Sequence, residues 1–141
     1  KWTGLQHAIV YFYNVYGPNE LSQGKYATVV GKFLQMIKSG ETLLPVTSPG
    51  SQRRNFTHVN DIVKALQLIA EQGYGDGYMI GAKKDYSIIE LANMLEAEYR
   101  LTPAVAGNRI KTTIDTSKVE ALGWSAKINL LDYLRSELLK N

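Results

Sequence analysis

The stretch His7-Ala8-Ile9-Val10-Tyr11-Phe12-Tyr13 is a short apolar run rich in β-forming residues, and it constrains the fold more than any other feature. It is apolar at successive positions, not alternate ones, which suits a strand buried on both faces of a parallel sheet. Asn14 and then Gly17-Pro18 close the run, so Asn14 sits at the strand's carboxyl end. In open α/β sheets that edge is where ligands bind. The alternative for Asn14 is an ordinary turn asparagine ahead of Gly-Pro.

The remainder reads as helices alternating with short extended runs. Tyr26 to Lys38 carries Tyr26, Val29, Val30, Phe33, Leu34 and Ile37 at helical spacing, and Gly40 is placed to end it. Leu43 to Val46 is extended, and Pro45 within it points to an edge strand. Pro49-Gly50 marks a turn, after which Arg53 and Arg54 stand where a loop feeds a strand containing Phe56, His58 and Val59. A helix follows from Ile62 to Gln72, with Asn60 or Asp61 available as its cap. The glycines of Gly73 to Gly77 precede a strand, Tyr78 to Ile80, and do not link strand to helix, so they make a turn and not a dinucleotide loop.

Ser87-Ile88-Ile89-Glu90 has the spacing of a capping box. The helix it opens is expected to bury Ile88, Leu91, Leu95 and Tyr99 and to break at Thr102-Pro103. Lys111 to Ile114 reads as extended. Asp115 would cap a short helix stopped by Gly123, and Asn129 a last amphipathic helix with Leu131, Leu134 and Leu138 inward. The alternation makes the chain α/β.

Composition excludes several functions. A length of 141 residues suits about one domain, and a net charge of +3 spread along the chain argues against a nucleic-acid groove. There is no cysteine, and His7 and His58 lie far apart, so a metal site is not expected. No apolar run approaches the ~20 residues of a membrane span, and no signal-peptide pattern opens the chain. A cytoplasmic location is the simplest expectation. The start at Lys1-Trp2-Thr3, without methionine, reads as a piece of something longer. Arg54 and its neighbour Arg53 suit a phosphate, because a guanidinium fork binds two oxygens at once; by spacing alone, two arginines after a turn read first as solvated surface charge.

In order, these segments resemble one family. Tyr11-Phe12-Tyr13-Asn14-Val15-Tyr16-Gly17-Pro18 is similar to the "R-[YF]-F-N-V-Y-G-P" segment of extended short-chain dehydrogenases, the NAD-dependent nucleotide-sugar epimerases and dehydratases. Arg54 to Asp61 resembles their "R-D-[FY]-x-H-V-x-D". Tyr78-Met79-Ile80-Gly81 and Ser87 to Leu91 resemble "Y-N-[IL]-G … S-[IL]-x-E-L". Gly107-Asn108, Asp115 and Leu122-Gly123-Trp124 resemble "R-P-G-D … D … L-G-W". The resemblance implies the carboxyl-terminal, substrate-binding portion of a UDP-glucose 4-epimerase-like enzyme. Residues 7–16 and 54–72 would then belong to the Rossmann sheet, and residues 17–53 and 78–141 mainly to a small substrate lobe.

Position by position, the resemblance implies that Asn14 meets the substrate, that Arg54 neutralises its diphosphate and that Phe56 lies near base or ribose. It places Thr28, Val29 and Val46 near the base, Asn108 at the ribose, and Phe12 and Tyr13 along the nicotinamide of NAD. Val105 stands where the family has a second phosphate-binding arginine, a task Arg109 is placed to take over. Asn108 replaces a carboxylate and Met79 an asparagine. The family's G-x-x-G-x-x-G turn and Tyr-x-x-x-Lys pair are not in the sequence, so the chain alone is expected to be inactive. The intact enzyme would be a homodimer that oxidises and re-reduces the sugar C4 of a nucleoside diphosphate sugar. A 4,6-dehydratase and a non-catalytic sugar-nucleotide-binding module are the alternatives.

Overall fold

The computed structural model describes residues 4–111 and 113–140. Within them the chain runs β1 (Ala8–Phe12), β2 (Val15–Tyr16), α1 (Val29–Lys38), β3 (Leu43–Thr47), β4 (Arg53–Arg54), β5 (Thr57–His58) and α2 (Val59–Gln72). It continues through β6 (Gly75–Ile80), β7 (Tyr86–Ser87), α3 (Ile88–Met94), β8 (Glu98–Thr102), α4 (Ser117–Glu120) and α5 (Leu130–Leu138). The strands pair two by two: β1 with β6, β2 with β5 and β3 with β8 are parallel, while β4 and β7 are antiparallel. This is the expected α/β alternation.

Two apolar clusters hold the elements. One gathers Tyr16, Phe33, Leu44, Val46, Leu91 and Leu134, so α1, α3 and α5 close over β3. The other packs Ile62, Ala65 and Ile69 of α2 against Tyr78 and Ile80 of β6, with Val119 and Trp124 beside them. Trp124 Nε1 donates to the Asp61 carbonyl at 2.8 Å, and the Asp61 Oδ2 accepts the N–H groups of Lys127 and Ile128 at 2.8 and 2.9 Å. This buried carboxylate ties the start of α2 to the segment that leads into α5.

Several expectations change. The first strand is not buried on both faces: Ala8 and Val10 pack against the α2 cluster, while Ile9, Tyr11 and Phe12 are 40–48% exposed. Helix α1 starts at Val29 and not at Tyr26, since the Thr28 hydroxyl accepts from Gly31 N at 3.0 Å and fixes the start there. Helix α2 starts earlier than expected, and its cap is His58, whose Nδ1 accepts from Asn60 N at 3.1 Å. The helix after Ser87 stops at Met94. Glu96 takes a left-handed φ of +55°, and Tyr99 lies on β8 beside β3, not on a helix. Thr116 is the residue before α4, with Asp115 accepting from Ser117 N at 3.0 Å. Lys111, Thr113 and Ile114 form no strand, and Thr112 lies outside the described residues. The Ser87–Glu90 capping box and the Asn129 cap are both formed.

Candidate functional site

The end of β1, the start of α1, the exit of β3 and the strand β4 meet around two adjoining clefts. One, of about 200 Å³, is walled by Val29, Phe33, Pro45, Thr47, Gln52 and Ile88 together with Asn14, Arg54 and Asn108. The other, of about 440 Å³, opens on Phe12, Tyr13, Gly107 and Arg109 and shares Asn14, Arg54 and Asn108 with the first. These three polar residues therefore stand between an apolar slot and an aromatic mouth.

Asn14 is held there by its backbone. It takes a left-handed φ of +42°, which asparagine tolerates better than most residues, and its carbonyl accepts from Thr57 N at 3.2 Å. The chain thus turns from β1 into β2 at Asn14, with the side chain lining both clefts.

Arg54 is set by the loop that faces it. Nη1 donates to the carbonyls of Arg53 at 2.8 Å and Arg109 at 2.7 Å, and Nη2 donates to the Asn108 Oδ1 at 2.7 Å. All three acceptors are neutral, and Arg54 has no carboxylate partner among the described residues. Three of its five N–H donors are used, leaving two for a ligand. Burial, and then the neighbouring Arg109 charge, lower its pKa from the usual arginine value; a guanidinium nevertheless keeps its proton. The result is an oriented, uncompensated cation in a cleft, suited to an anion with paired oxygens.

Arg53, next in sequence, is spent. Its Nε meets Asp85 Oδ1 at 2.8 Å, its Nη2 donates to the Asp85 carbonyl at 2.9 Å, and its Nη1 meets Glu90 Oε2 at 2.9 Å. Alternation along β4 sends one arginine to Asp85, just ahead of β7, and to Glu90 of α3, and the other to the cleft.

The expected site residues divide accordingly. Phe12, Tyr13, Asn14, Val29, Arg54, Asn108 and Arg109 come together around the clefts. Thr28, Val46 and Phe56 do not. The Thr28 hydroxyl is committed to Gly31 N and to the Glu20 carboxylate, capping α1. Val46 is fully buried in the core, and because side chains alternate along β3, Pro45 and Thr47 face the cleft in its place. Phe56 is buried in the same core, one residue ahead of β5. Gln52, Pro45, Thr47, Phe33 and Ile88 line the slot without having been singled out. The period-two pattern of β3 was the available signal for Pro45 and Thr47.

A third depression, of about 420 Å³, lies at Asn55, Lys83, Lys111, Asp115 and Glu120. Both of its lysines are already paired, Lys83 with Glu120 at 2.9 Å and Lys111 with Asp85 at 3.9 Å. Beneath the site, His58 packs edge-on against Tyr16 and Tyr133, with ring centroids 5.2 Å apart in each case. Burial lowers the His58 pKa, against the opposing pull of Asp61. Burial, and then Glu137 and Glu20, push the Tyr133 hydroxyl up to about 12. Among the described residues no group of three metal-ligating side chains occurs, and no helix is long and apolar enough to cross a membrane.

As to NAD, the exposed ring of Phe12 with Tyr13 fits one wall of a nicotinamide site. A pyrophosphate cradle does not fit: Gly75 and Gly77 lie inside β6, and among the described residues no glycine-rich turn joins a strand to a helix.

Comparison with known proteins supplies the family. The model of the NAD dependent epimerase/dehydratase family matches residues 1–81. The chain is 29% identical over 139 residues to UDP-glucuronic acid decarboxylase 6 of Arabidopsis thaliana, covering 93% of this chain and 39% of the relative. It is 27% identical over 138 residues to a putative UDP-glucose 4-epimerase of Methanocaldococcus jannaschii, covering 94% and 44%. In structure it resembles the UDP-glucose 4-epimerase of Thermotoga maritima bound to UDP-glucose, with a TM-score of 0.88, 27% identity and coverage of 96% and 45%. It likewise resembles the UDP-glucuronic acid 4-epimerase of Bacillus cereus in complex with UDP-glucuronic acid and NAD, with a TM-score of 0.82, 25% identity and coverage of 93% and 43%.

The chain thus spans less than half the length of these relatives. The expectation of a carboxyl-terminal portion of a UDP-glucose 4-epimerase-like enzyme is corrected. The family match begins at residue 1 and ends just after β6, on the amino-terminal, Rossmann-like part of the chain, and leaves residues 82–141 outside it. The relatives include decarboxylases and dehydratases as well as epimerases, so the likeness is distant and to the family as a whole. With its model matching more than half of the sequence, the chain belongs to the NAD-dependent epimerase/dehydratase family.

Proposed function

We propose that this chain binds the nucleoside diphosphate sugar for an NAD-dependent nucleotide-sugar epimerase that oxidises and re-reduces the sugar at C4. The observation that carries this reading is the uncompensated Arg54 guanidinium, which shares both clefts with Asn14 and Asn108. In it, Arg54 takes the diphosphate, with Arg109 as the second cation. Asn14 hydrogen-bonds the sugar, and Asn108 meets the ribose. Val29 lies against the base, with Pro45 and Thr47 taking the place expected of Val46.

Phe12 and Tyr13 wall the nicotinamide side, where NAD, when bound, supplies the hydride acceptor. The sequence has no Tyr-x-x-x-Lys pair to take the hydroxyl proton, so the proposed share of this chain is binding and orientation. Residues 7–16 and 54–72 are assigned to the sheet side and residues 17–53 and 78–141 mainly to the substrate side, with β6, Val119 and Trp124 packing on the former. Relatives bound to UDP-glucose and UDP-glucuronic acid favour a UDP-sugar.

Isothermal titration of UDP into the full chain tests this. Wild type should bind, and Arg54→Ala should raise Kd by about tenfold or more, the loss of a charge-assisted hydrogen bond. An unchanged Kd refutes the assignment.

A further inference from the structure

Gln52 places a buried acceptor in the wall of the apolar slot that the fold leaves without a partner. It is only 2% exposed, yet it stands in the wall beside Pro45, Thr47 and Arg54. Its Nε2 donates to the Thr47 carbonyl at 2.9 Å, while its Oε1 is buried and has no hydrogen-bond partner among the described residues. A buried acceptor without a donor is costly, and native folds complete nearly all such groups. The Thr47 carbonyl also fixes the sense of the amide. Turning it over would set Oε1 against a carbonyl oxygen, so the free end of Gln52 is an acceptor and not a donor.

The slot's other walls suit a flat ring: Val29, Phe33, Pro45 and Ile88 are apolar, and the Arg54 cation closes one end. We infer that Gln52 is a specificity-determining residue whose Oε1 accepts a hydrogen bond from the imide N–H of a pyrimidine base, selecting uracil or thymine over cytosine. The inference rests on the proposed reading that Arg54 holds the diphosphate of the same ligand. Cytosine presents a bare ring nitrogen at the position where uracil carries that N–H, so two acceptors would face each other. The side chain meets the base through a small turn of its terminal amide, a torsion with a broad energy well.

Titration of UDP, CDP and N3-methyl-UDP into the full chain tests it, with inorganic pyrophosphate as the probe of Arg54 alone. Wild type should bind UDP about tenfold or more tightly than CDP or N3-methyl-UDP, the expected worth of one such hydrogen bond with its unpaired penalty. Gln52→Met should bring UDP and CDP within about twofold of each other and leave pyrophosphate binding unchanged. Equal binding of UDP and N3-methyl-UDP by wild type overturns the inference without recourse to any variant, and so does a UDP/CDP ratio that Gln52→Met leaves intact. Failure of wild type to bind either UDP or pyrophosphate overturns the diphosphate reading itself, and with it this one.

Discussion

Two adjacent arginines on one two-residue strand have opposite surroundings. Arg53 faces Asp85 and Glu90, and Glu90 is at the same time the reciprocal partner of Ser87 in the capping box of α3. The Glu90 carboxyl is held below its usual range by the Ser87 N–H first and by Arg53 after it. Arg54 faces carbonyls and an amide, all uncharged, at the junction of two clefts. The first arginine completes a closed circuit that joins β4 to β7 and α3. The second is oriented by the fold and left with its charge unanswered. A cation whose partners are built in is structural, whereas one presented on neutral supports is ready for an anion.

Charge reversal separates the two sides most strongly. Arg54→Glu should weaken UDP binding by about a hundredfold or more in titration calorimetry, since like charges brought together cost several kcal/mol. Its melting midpoint should change far less than its affinity. On the other side, Ser87→Ala removes the cap of α3 and should cost about 1 kcal/mol of stability in denaturant unfolding, with UDP affinity within about twofold of wild type. Arg53→Ala should lower the melting midpoint by a smaller step, because its ion pairs are half-exposed, and should leave UDP binding in place. A loss of affinity in Arg53→Ala equal to that in an Arg54 variant would erase the contrast.

The smallest effect concerns His58. Its Nδ1 caps α2 only while unprotonated, and burial holds its folded pKa below the free value of 6.5. The unfolded chain therefore takes the proton first. Stability from this group is complete above pH 6.5 and is lost as pH falls from there towards the folded pKa. Urea midpoints measured from pH 8 to pH 5 should fall in wild type and be flatter in His58→Asn, which caps without titrating.

The local rules legible in the sequence were those that depend on near neighbours. The Ser87–Glu90 box, the Asn129 cap and the end of α2 at Gln72 each involve residues within a turn of one another, and each formed as read. What escaped depends on partners far along the chain. Strand β8 exists because Glu98 to Thr102 finds β3 some 55 residues earlier, from Leu43↔Glu98 to Thr47↔Thr102. Its exposed positions give no apolar pattern to betray it.

Within the site, the error at β3 was one residue of register. Val46 was named from the resemblance to the family, and the core that takes Leu44 and Val46 turns Pro45 and Thr47 to the cleft instead. Phe56 shows the same limit, since an aromatic ahead of a strand reads alike whether it faces a ligand or a core. Arg54, Asn14 and Asn108 were found through their resemblance to the family pattern. Their meeting in space follows from β1, β4 and the 107–109 loop converging.

The most direct test follows side-chain signals of isotope-labelled protein during a UDP titration. The account predicts that the Arg54 Nε–H and the side-chain amides of Asn14 and Asn108 shift together along one saturating curve, with the Arg53 Nε–H unmoved. Shifts confined to Asn55, Lys83 and Lys111 around the third depression, with Arg54 silent, would contradict it.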